Sequence, residues 1–108
     1  MANFEIAQSE FGPIKGIHKK LAYDNDCIVF QNIPYMKAPV GKLRFREAQA
    51  TEKWQEPLDA TGDVKEFPYF VPGQEIVGQE DAGILNVFTK DLKPKKPYPV
   101  MVWVSFKN

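Results

Sequence analysis

The sequence predicts a mostly β structure, in which antiparallel hairpins near the N-terminus are followed by later sheet strands and by long irregular loops. Three observations support this prediction. Short apolar runs separated by turn residues fill the first third of the chain, prolines and glycines interrupt its middle, and no convincing amphipathic helix is present. At 108 residues the chain is one domain or part of one.

The first third of the chain carries the clearest strand signals. Two apolar runs flank a turn at residues 11–13. A third apolar run, residues 27–33, follows a polar turn at residues 24–26 and ends at Pro34. This run is rich in β-branched residues, which favour strands. Short turns between such runs predict antiparallel hairpins.

Regularity fades between Pro34 and Gly78, where only residues 44–54 could form a helical turn. Long stretches without regular structure are uncommon in a compact domain. This one contains six aromatic residues: Tyr35, Phe45, Trp54, Phe67, Tyr69 and Phe70. A chain of this length offers little surface to bury these rings, so we expect burial partners that the 108 residues do not supply.

Strand patterns return near the end of the chain. Residues 85–88 predict a strand, and residues 90–97 form a charged, solvated loop. Residues 100–104 are five consecutive apolar residues, which predict a strand buried on both faces, as at the centre of a helix-covered sheet. No helix is available to cover it. We therefore expect a fragment of a larger domain, of low stability, that self-associates through this strand.

Composition excludes several classes of partner. Fourteen basic and fourteen acidic residues give no net charge, so we expect neither nucleic acid nor membrane as a partner. The single cysteine, Cys27, excludes an internal disulfide and a multi-cysteine metal site. The first residues lack the apolar core of a signal peptide, and no apolar run approaches membrane-spanning length. These features predict a cytoplasmic protein.

The residues capable of catalysis are few. Neither Ser9 nor Ser105 lies in Gly-x-Ser-x-Gly, the turn that exposes a hydrolase nucleophile. His18, the only histidine, fits an exposed strand position better than a general base, and Cys27 fits a buried structural thiol better than a nucleophile. One histidine and one cysteine cannot supply the usual metal ligands. We predict no catalytic, cofactor-binding or metal-binding residue.

Residues 30–45 read F-Q-N-I-P-Y-M-K-A-P-V-G-K-L-R-F. They resemble the block F-x-G-I-P-Y-A-x-P-P-V-G-x-L-R-F of type-B carboxylesterases and cholinesterases. Residues 11–16 resemble the G-x-V-x-G hairpin of the family, and residues 54–61 resemble its W-x-x-x-L-D-A-T. Residues 78–88 resemble G-x-E-D-C-L-Y-L-N-V-Y, and residues 99–104 resemble P-V-M-V-W-I. Within the family, insect α-esterases look most similar.

The resemblance implies an α/β-hydrolase and a parent enzyme that hydrolyses small carboxylic esters without a cofactor, through a serine acyl-enzyme. Residues 1–108 would be the N-terminal part of its catalytic domain. The family pairs the arginine of L-R-F with the glutamate of E-D-C, which implies a buried pair between Arg44 and Glu80. The resemblance also gives structural, non-catalytic roles to four further residues: Asp81, Trp54, Tyr35 and Asn86.

Three departures from the family pattern bear on function. Ala82 replaces the cysteine of E-D-C, so the first disulfide of the family is absent, which suits a cytosolic branch. Gly83 replaces the following leucine and should loosen the start of the next strand. After Val104 the family continues into H-G-G-G, whose backbone N–H groups form the oxyanion hole, whereas this chain reads S-F-K-N.

We therefore expect a carboxylesterase segment that is inactive alone, since it lacks the nucleophile, the acid, the base and the oxyanion glycines. The alternative is the N-terminal part of a catalytically dead, esterase-like adhesion or binding protein. Those relatives are secreted or membrane-tethered and disulfide-bonded, so the missing cysteine argues against this alternative.

Overall fold

The computed structural model describes residues 3–104 and is organised around one five-stranded sheet. Ser105 lies outside the described residues. The strands are β1 (Phe4–Gln8), β2 (Pro13–Lys20), β3 (Asp26–Pro34), β4 (Leu58–Asp59) and β5 (Ile84–Thr89). Two short 3-10 helices, Ala22–Asp24 and Gly41–Leu43, lie in the connections.

The first three strands form the predicted antiparallel hairpins. In β1 and β2, Phe4 is paired with Ile17, and in β2 and β3, Ile17 is paired with Val29. The first hairpin turns through paired backbone hydrogen bonds between Ser9 and Gly12, so the turn begins two residues before the predicted one at residues 11–13 and overlaps it. The local turn signals were therefore sufficient to define these hairpins.

The later strands join the sheet by long-range pairing. The two-residue strand β4 runs parallel to β2, with Ile14 beside Leu58. Strand β5 runs antiparallel to β3 and confirms the strand predicted at residues 85–88. The register between β3 and β5 shifts between Phe30 and Ile33, so this pair contains a bulge or irregularity.

A small apolar core lies on the face of the sheet that the irregular segments cover. Its buried members are Ile14, Ile28, Phe30 and Ala60, with Ala7, Ile33, Trp54 and Leu92 packed against it at partial burial. The aromatic residues of the irregular stretch are mostly outside this core. Tyr35, Phe45, Phe67 and Phe70 are all exposed, so residues 3–104 do not bury most of these rings, as expected.

Two secondary-structure predictions are wrong. Residues 44–54 contain no helix. The helical turn nearest to them is the 3-10 helix Gly41–Leu43, which ends before Arg44. Residues 100–104 form no strand, and their side chains are 74–94% exposed rather than buried on both faces. A strand forms only by pairing, and no described strand lies beside this segment. No helix within residues 3–104 is long and apolar enough to cross a membrane.

Candidate functional site

The groups that could perform nucleophilic chemistry are not assembled into a site. The Ser9 hydroxyl donates to the Gly12 carbonyl at 2.6 Å and belongs to the first hairpin turn. His18 lies on β2 as predicted, but it is half-buried rather than exposed, and its Nε2 lies 2.7 Å from Glu5 Oε2. Cys27 is buried at the start of β3, as predicted. Nucleophile and base must be within hydrogen-bonding reach, and no serine or cysteine of residues 3–104 is hydrogen-bonded to the histidine.

Within residues 3–104 no group of three or more histidine, cysteine or carboxylate side chains could hold a metal ion. The residues that the sequence singles out instead make structural contacts in and around the irregular stretch. These contacts connect its start, its middle and its end to the sheet.

The structure brings Arg44 and Glu80 together. Arg44 Nε lies 3.2 Å from Glu80 Oε1, so the pair joins the segment after β3 to the segment before β5. Both side chains are exposed, at 60% and 44%, so the expectation of a buried pair is wrong. The loop around Arg44 lies at the surface, where water screens the two charges. The adjacent Asp81 makes a second, longer ion pair, with Lys65 Nζ at 3.6 Å.

Two aromatic residues that belong to the family block, Phe45 and Tyr35, are exposed. The Phe45 backbone is in the left-handed region (φ 61°), and the Arg44 guanidinium lies 5.0 Å from the centre of the Phe45 ring. Tyr35 is connected to the segment before β5 through its backbone, whose N–H donates to the Gly83 carbonyl at 3.4 Å. The side chain of Tyr35 is about half exposed.

Trp54 connects the middle of the irregular stretch to the first hairpin. Its indole Nε1 donates to the Pro13 carbonyl at 2.7 Å, and its backbone N–H donates to the Phe11 carbonyl at 2.8 Å. The indole stacks on the Phe11 ring at 6.4 Å between ring centres. Gly12 is required here, since a Cβ on it would lie 2.6 Å from Trp54 Nε1 and its φ of +149° disfavours other residues. The tryptophan therefore has a structural role.

Asn86 anchors a hydrogen-bond network that includes a residue the sequence analysis did not identify. The Asn32 backbone N–H donates to Asn86 Oδ1 at 3.0 Å. The Asn32 side chain in turn donates to the Asp63 carbonyl at 2.6 Å and accepts from the Lys65 N–H at 2.8 Å. Asn32 has a φ of 66° and stands where the family block has glycine. Asparagine tolerates this conformation. The sequence signal that could have identified Asn32 is therefore an asparagine at a position where the family block has glycine.

Gly83 is buried, and the side chain of Met36 occupies the space beside it. A Cβ on Gly83 would lie 2.6 Å from Met36 Cγ and 2.8 Å from Met36 Sδ. The family block has alanine at position 36 and leucine at position 83. This chain therefore combines a larger residue at one position with a smaller one at the other, and the volume changes offset each other.

Strand β4 ends in a turn with one perturbed carboxyl group. The Thr61 hydroxyl and the Thr61 backbone N–H both donate to Asp59 Oδ1, at 2.5 and 3.0 Å. These two hydrogen bonds, the hydroxyl first, hold the pKa of Asp59 below its ordinary value, with a smaller contribution from Lys15. Ala60 lies between Asp59 and Thr61 and is fully buried.

The chain is similar to known proteins over most of its length. The carboxylesterase family model matches residues 3–105. Esterase B1 of Culex pipiens is 38% identical over 98 residues, which cover 90% of this chain and 18% of that protein. Para-nitrobenzyl esterase of Bacillus subtilis is 34% identical over 110 residues, covering 93% of this chain and 20% of that protein.

Solved structures agree with this assignment. The juvenile hormone esterase of Manduca sexta superposes with a TM-score of 0.68 at 30% identity, over 82% of this chain and 18% of the other. A thermophilic pNB esterase gives a TM-score of 0.64 at 27% identity, over 82% of this chain and 19% of the other. The chain thus spans about a fifth of the length of these relatives. The α/β-hydrolase fold expected from the resemblance is confirmed, and this chain corresponds to a mostly antiparallel part of it.

Proposed function

The chain belongs to the carboxylesterase family, and from this premise we propose that it is the N-terminal segment of the catalytic domain of a carboxylic-ester hydrolase and is inactive alone. The full-length enzyme would attack small-molecule carboxylic esters with a serine, form an acyl-enzyme and release it with water. This serine mechanism of the full-length enzyme would need no cofactor. Relatives with esterase names in insects and bacteria support the substrate class.

One observation carries the proposal of inactivity, namely that within residues 3–104 no serine or cysteine is hydrogen-bonded to the histidine. Ser9 is part of a turn, and the His18 ring is paired with Glu5. Triad enzymes that lose their triad retain roughly 10³–10⁴-fold acceleration only through the oxyanion hole and substrate binding. Each donor of such a hole contributes about 10²–10³ in rate, and the sequence contains no H-G-G-G motif to supply it.

An esterase assay tests this proposal directly. The purified 108-residue chain is incubated with p-nitrophenyl and naphthyl esters, beside Ser9→Ala and Ser105→Ala variants. We expect the same background rate for all three proteins. Turnover that co-purifies with the chain and disappears in either serine variant would overturn the proposal, since the activity would then depend on a serine of this segment.

The alternative of a catalytically dead adhesion or binding relative is tested at the transcript level. A transcript that continues from Val104 into H-G-G and later encodes Gly-x-Ser-x-Gly, an acid and a histidine supports the hydrolase. A frame that continues without the serine motif supports the binding protein.

We also propose that the chain acts in the cytoplasm and that the isolated chain self-associates. A single buried thiol, with alanine at the family cysteine position, suits a reducing compartment. The exposed apolar residues near the C-terminus support self-association. Cell fractionation checks the compartment, and analytical ultracentrifugation across a concentration series checks association. A protein found only in the secreted fraction, or a chain that sediments as a monomer at every concentration, contradicts the respective proposal.

A further inference from the structure

Residues 63–79, here termed the flap, form a loop whose two arms are fastened to each other. The Gln79 backbone N–H donates to the Glu66 carbonyl at 2.8 Å. Nearer the tip, Tyr69 and Val77 form an antiparallel bridge, with N···O distances of 2.9 and 3.1 Å. These hydrogen bonds lie within the flap, so they persist when the flap changes its position relative to the sheet.

The base of the flap is closed as well. A Cβ on Gly78 would clash with the carbonyl oxygen of Phe67, so the two arms touch here, and the φ of +96° at Gly78 disfavours other residues. At the same end, Lys65 Nζ lies 3.6 Å from Asp81 Oδ2, which joins the start of the flap to the residues that follow it. The flap therefore has the internal contacts of a unit that can move as one body.

The chain changes from a fixed to an open environment just before the flap. Ala60 is fully buried, accepts from the Gln31 N–H at 2.8 Å and donates to the Lys15 carbonyl at 2.9 Å, so both β2 and β3 hold it. Gly62, two residues later, is exposed, and a Cβ placed on it would meet no atom within 4 Å. Because glycine has more backbone freedom than other residues, Gly62 can act as a hinge.

A side chain of β3 fastens the flap beyond this hinge. Asn32 Nδ2 donates to the Asp63 carbonyl at 2.6 Å, and Asn32 Oδ1 accepts from the Lys65 N–H at 2.8 Å. Asn32 lies where the pairing of β3 with β5 is irregular, and its φ of 66° is left-handed. Such an irregularity redirects a side chain out of the regular alternation of a strand. The Asn32 amide is thereby directed at the start of the flap.

We propose that the flap opens and closes as one body about a hinge at Gly62, and that Asn32 is the latch that holds it closed. In the closed state, both hydrogen bonds of the Asn32 side chain to the flap are made. In the open state they are broken, while the hydrogen bonds between the two arms remain. The opening and closing of the flap are independent of whether the chain hydrolyses esters.

Two hydrogen bonds make the closed state dominant and still allow reversible opening. With their ordinary net strength they favour the closed state by roughly ten- to a hundredfold. Opening of a single loop leaves the pairing of the strands intact, which makes it a local event rather than unfolding of the chain.

Limited trypsin digestion under native conditions measures the opening. Cleavage after Lys65 requires the start of the flap to leave the sheet, and its rate follows the open population when opening is fast. The variant Asn32→Gly removes both hydrogen bonds and fits the left-handed backbone at this position. We expect cleavage after Lys65 to become about tenfold faster or more. Cleavage after Arg46, which lies outside the flap and also precedes a glutamate, is the internal reference and should not change.

Further variants separate the latch from the hinge. Asn32→Asp keeps the shape of the side chain and an acceptor for Lys65 but loses the donor to Asp63, so the acceleration should be smaller than in Asn32→Gly. Gly62→Ala has room for its Cβ and restricts the hinge, so in the Asn32→Gly background it should slow cleavage about two- to fivefold. An unchanged rate there would overturn the hinge. Asn25→Gly, in the turn between β2 and β3, is the matched control and should leave cleavage after Lys65 unchanged.

Amide hydrogen exchange, followed by NMR, tests whether the flap moves as one body. The Tyr69 and Val77 N–H groups should be protected in the wild type and equally protected in Asn32→Gly, because their hydrogen bonds lie within the flap. Absence of this protection in either protein would show that the flap melts instead of moving as a unit. Unchanged cleavage after Lys65 in both Asn32 variants would overturn the latch. Equal acceleration after Lys65 and Arg46 in both variants would also overturn it, because the contact would then support the whole chain.

Discussion

Arg44 and Glu80 form an ion pair, with 3.2 Å between Nε and Oε1, that joins the segment after β3 to the segment before β5 at the surface of the protein. Because both side chains are exposed, water competes with the pair and ordering two long side chains offsets part of the attraction. Exposed pairs contribute about 0–1 kcal/mol, whereas breaking a buried pair costs about 3–5 kcal/mol. The pair therefore orients the loop more than it stabilises the fold.

The variants Arg44→Gln and Glu80→Gln should each lower the free energy of unfolding by at most about 1 kcal/mol. A double-mutant cycle in urea, at low and high salt, measures the coupling, which should decrease as salt screens the charges. Arg46→Gln is the matched control, because no ion pair involves Arg46 within residues 3–104. A loss of about 3 kcal/mol in either single variant would show that the pair is desolvated.

Gly83→Leu restores the family residue at a position where Met36 occupies the space. Alone, it should destabilise the protein by about 1–3 kcal/mol through overpacking. Combined with Met36→Ala, most of this loss should be recovered, because the family combination of alanine and leucine is then restored. Chemical unfolding of the wild type, both single variants and the double variant measures this coupling. Additive effects of the two changes would show that the residues do not share this space.

Trp54→Phe keeps an aromatic ring but removes the indole N–H that donates to Pro13. We expect a loss of about 1–2 kcal/mol in the free energy of unfolding, since a half-buried carbonyl loses its donor. Trp103→Phe is the control, because Trp103 is 88% exposed and should change stability little. Equal effects of the two substitutions would contradict a structural role of Trp54.

Stability should depend on the Asp59–Thr61 turn in a pH-dependent way. Hydrogen bonds from Thr61 hold the folded pKa of Asp59 below its ordinary value. A depressed carboxyl pKa stabilises the folded state above the unfolded pKa of about 3.9 and loses this effect as the pH falls through the folded pKa. The stability difference between wild type and Thr61→Val should therefore be constant above about pH 5 and shrink below about pH 4. In an Asp59→Asn background, Thr61→Val should have an effect that does not change with pH.

Prediction from sequence was more successful for interactions between residues close in sequence than for interactions between distant ones. The hairpins of β1, β2 and β3 were predictable because their turn residues and apolar runs are adjacent in sequence. Residues 100–104 have the composition of a buried strand, but strand formation requires a partner that composition does not reveal. The family resemblance predicted the ion pair between Arg44 and Glu80. It did not predict that the pair is exposed, because exposure depends on the conformation of the surrounding loop. The hydrogen bonds of Asn32 escaped detection because they join three distant segments.

The antiparallel pairing of β3 with β5 has a consequence for how this region can change in evolution. Pro34 is paired with Ile84, so the sheet holds together the two ends of the entire irregular stretch between them. The entropy of closing a loop grows only slowly with its length, by about 0.6 kcal/mol for each doubling. Inserting or deleting several residues there, away from the contacts of Trp54 and Asn32, would add little to this closure entropy. Length variation among homologues should therefore concentrate between β3 and β5, while the strands on either side keep their register.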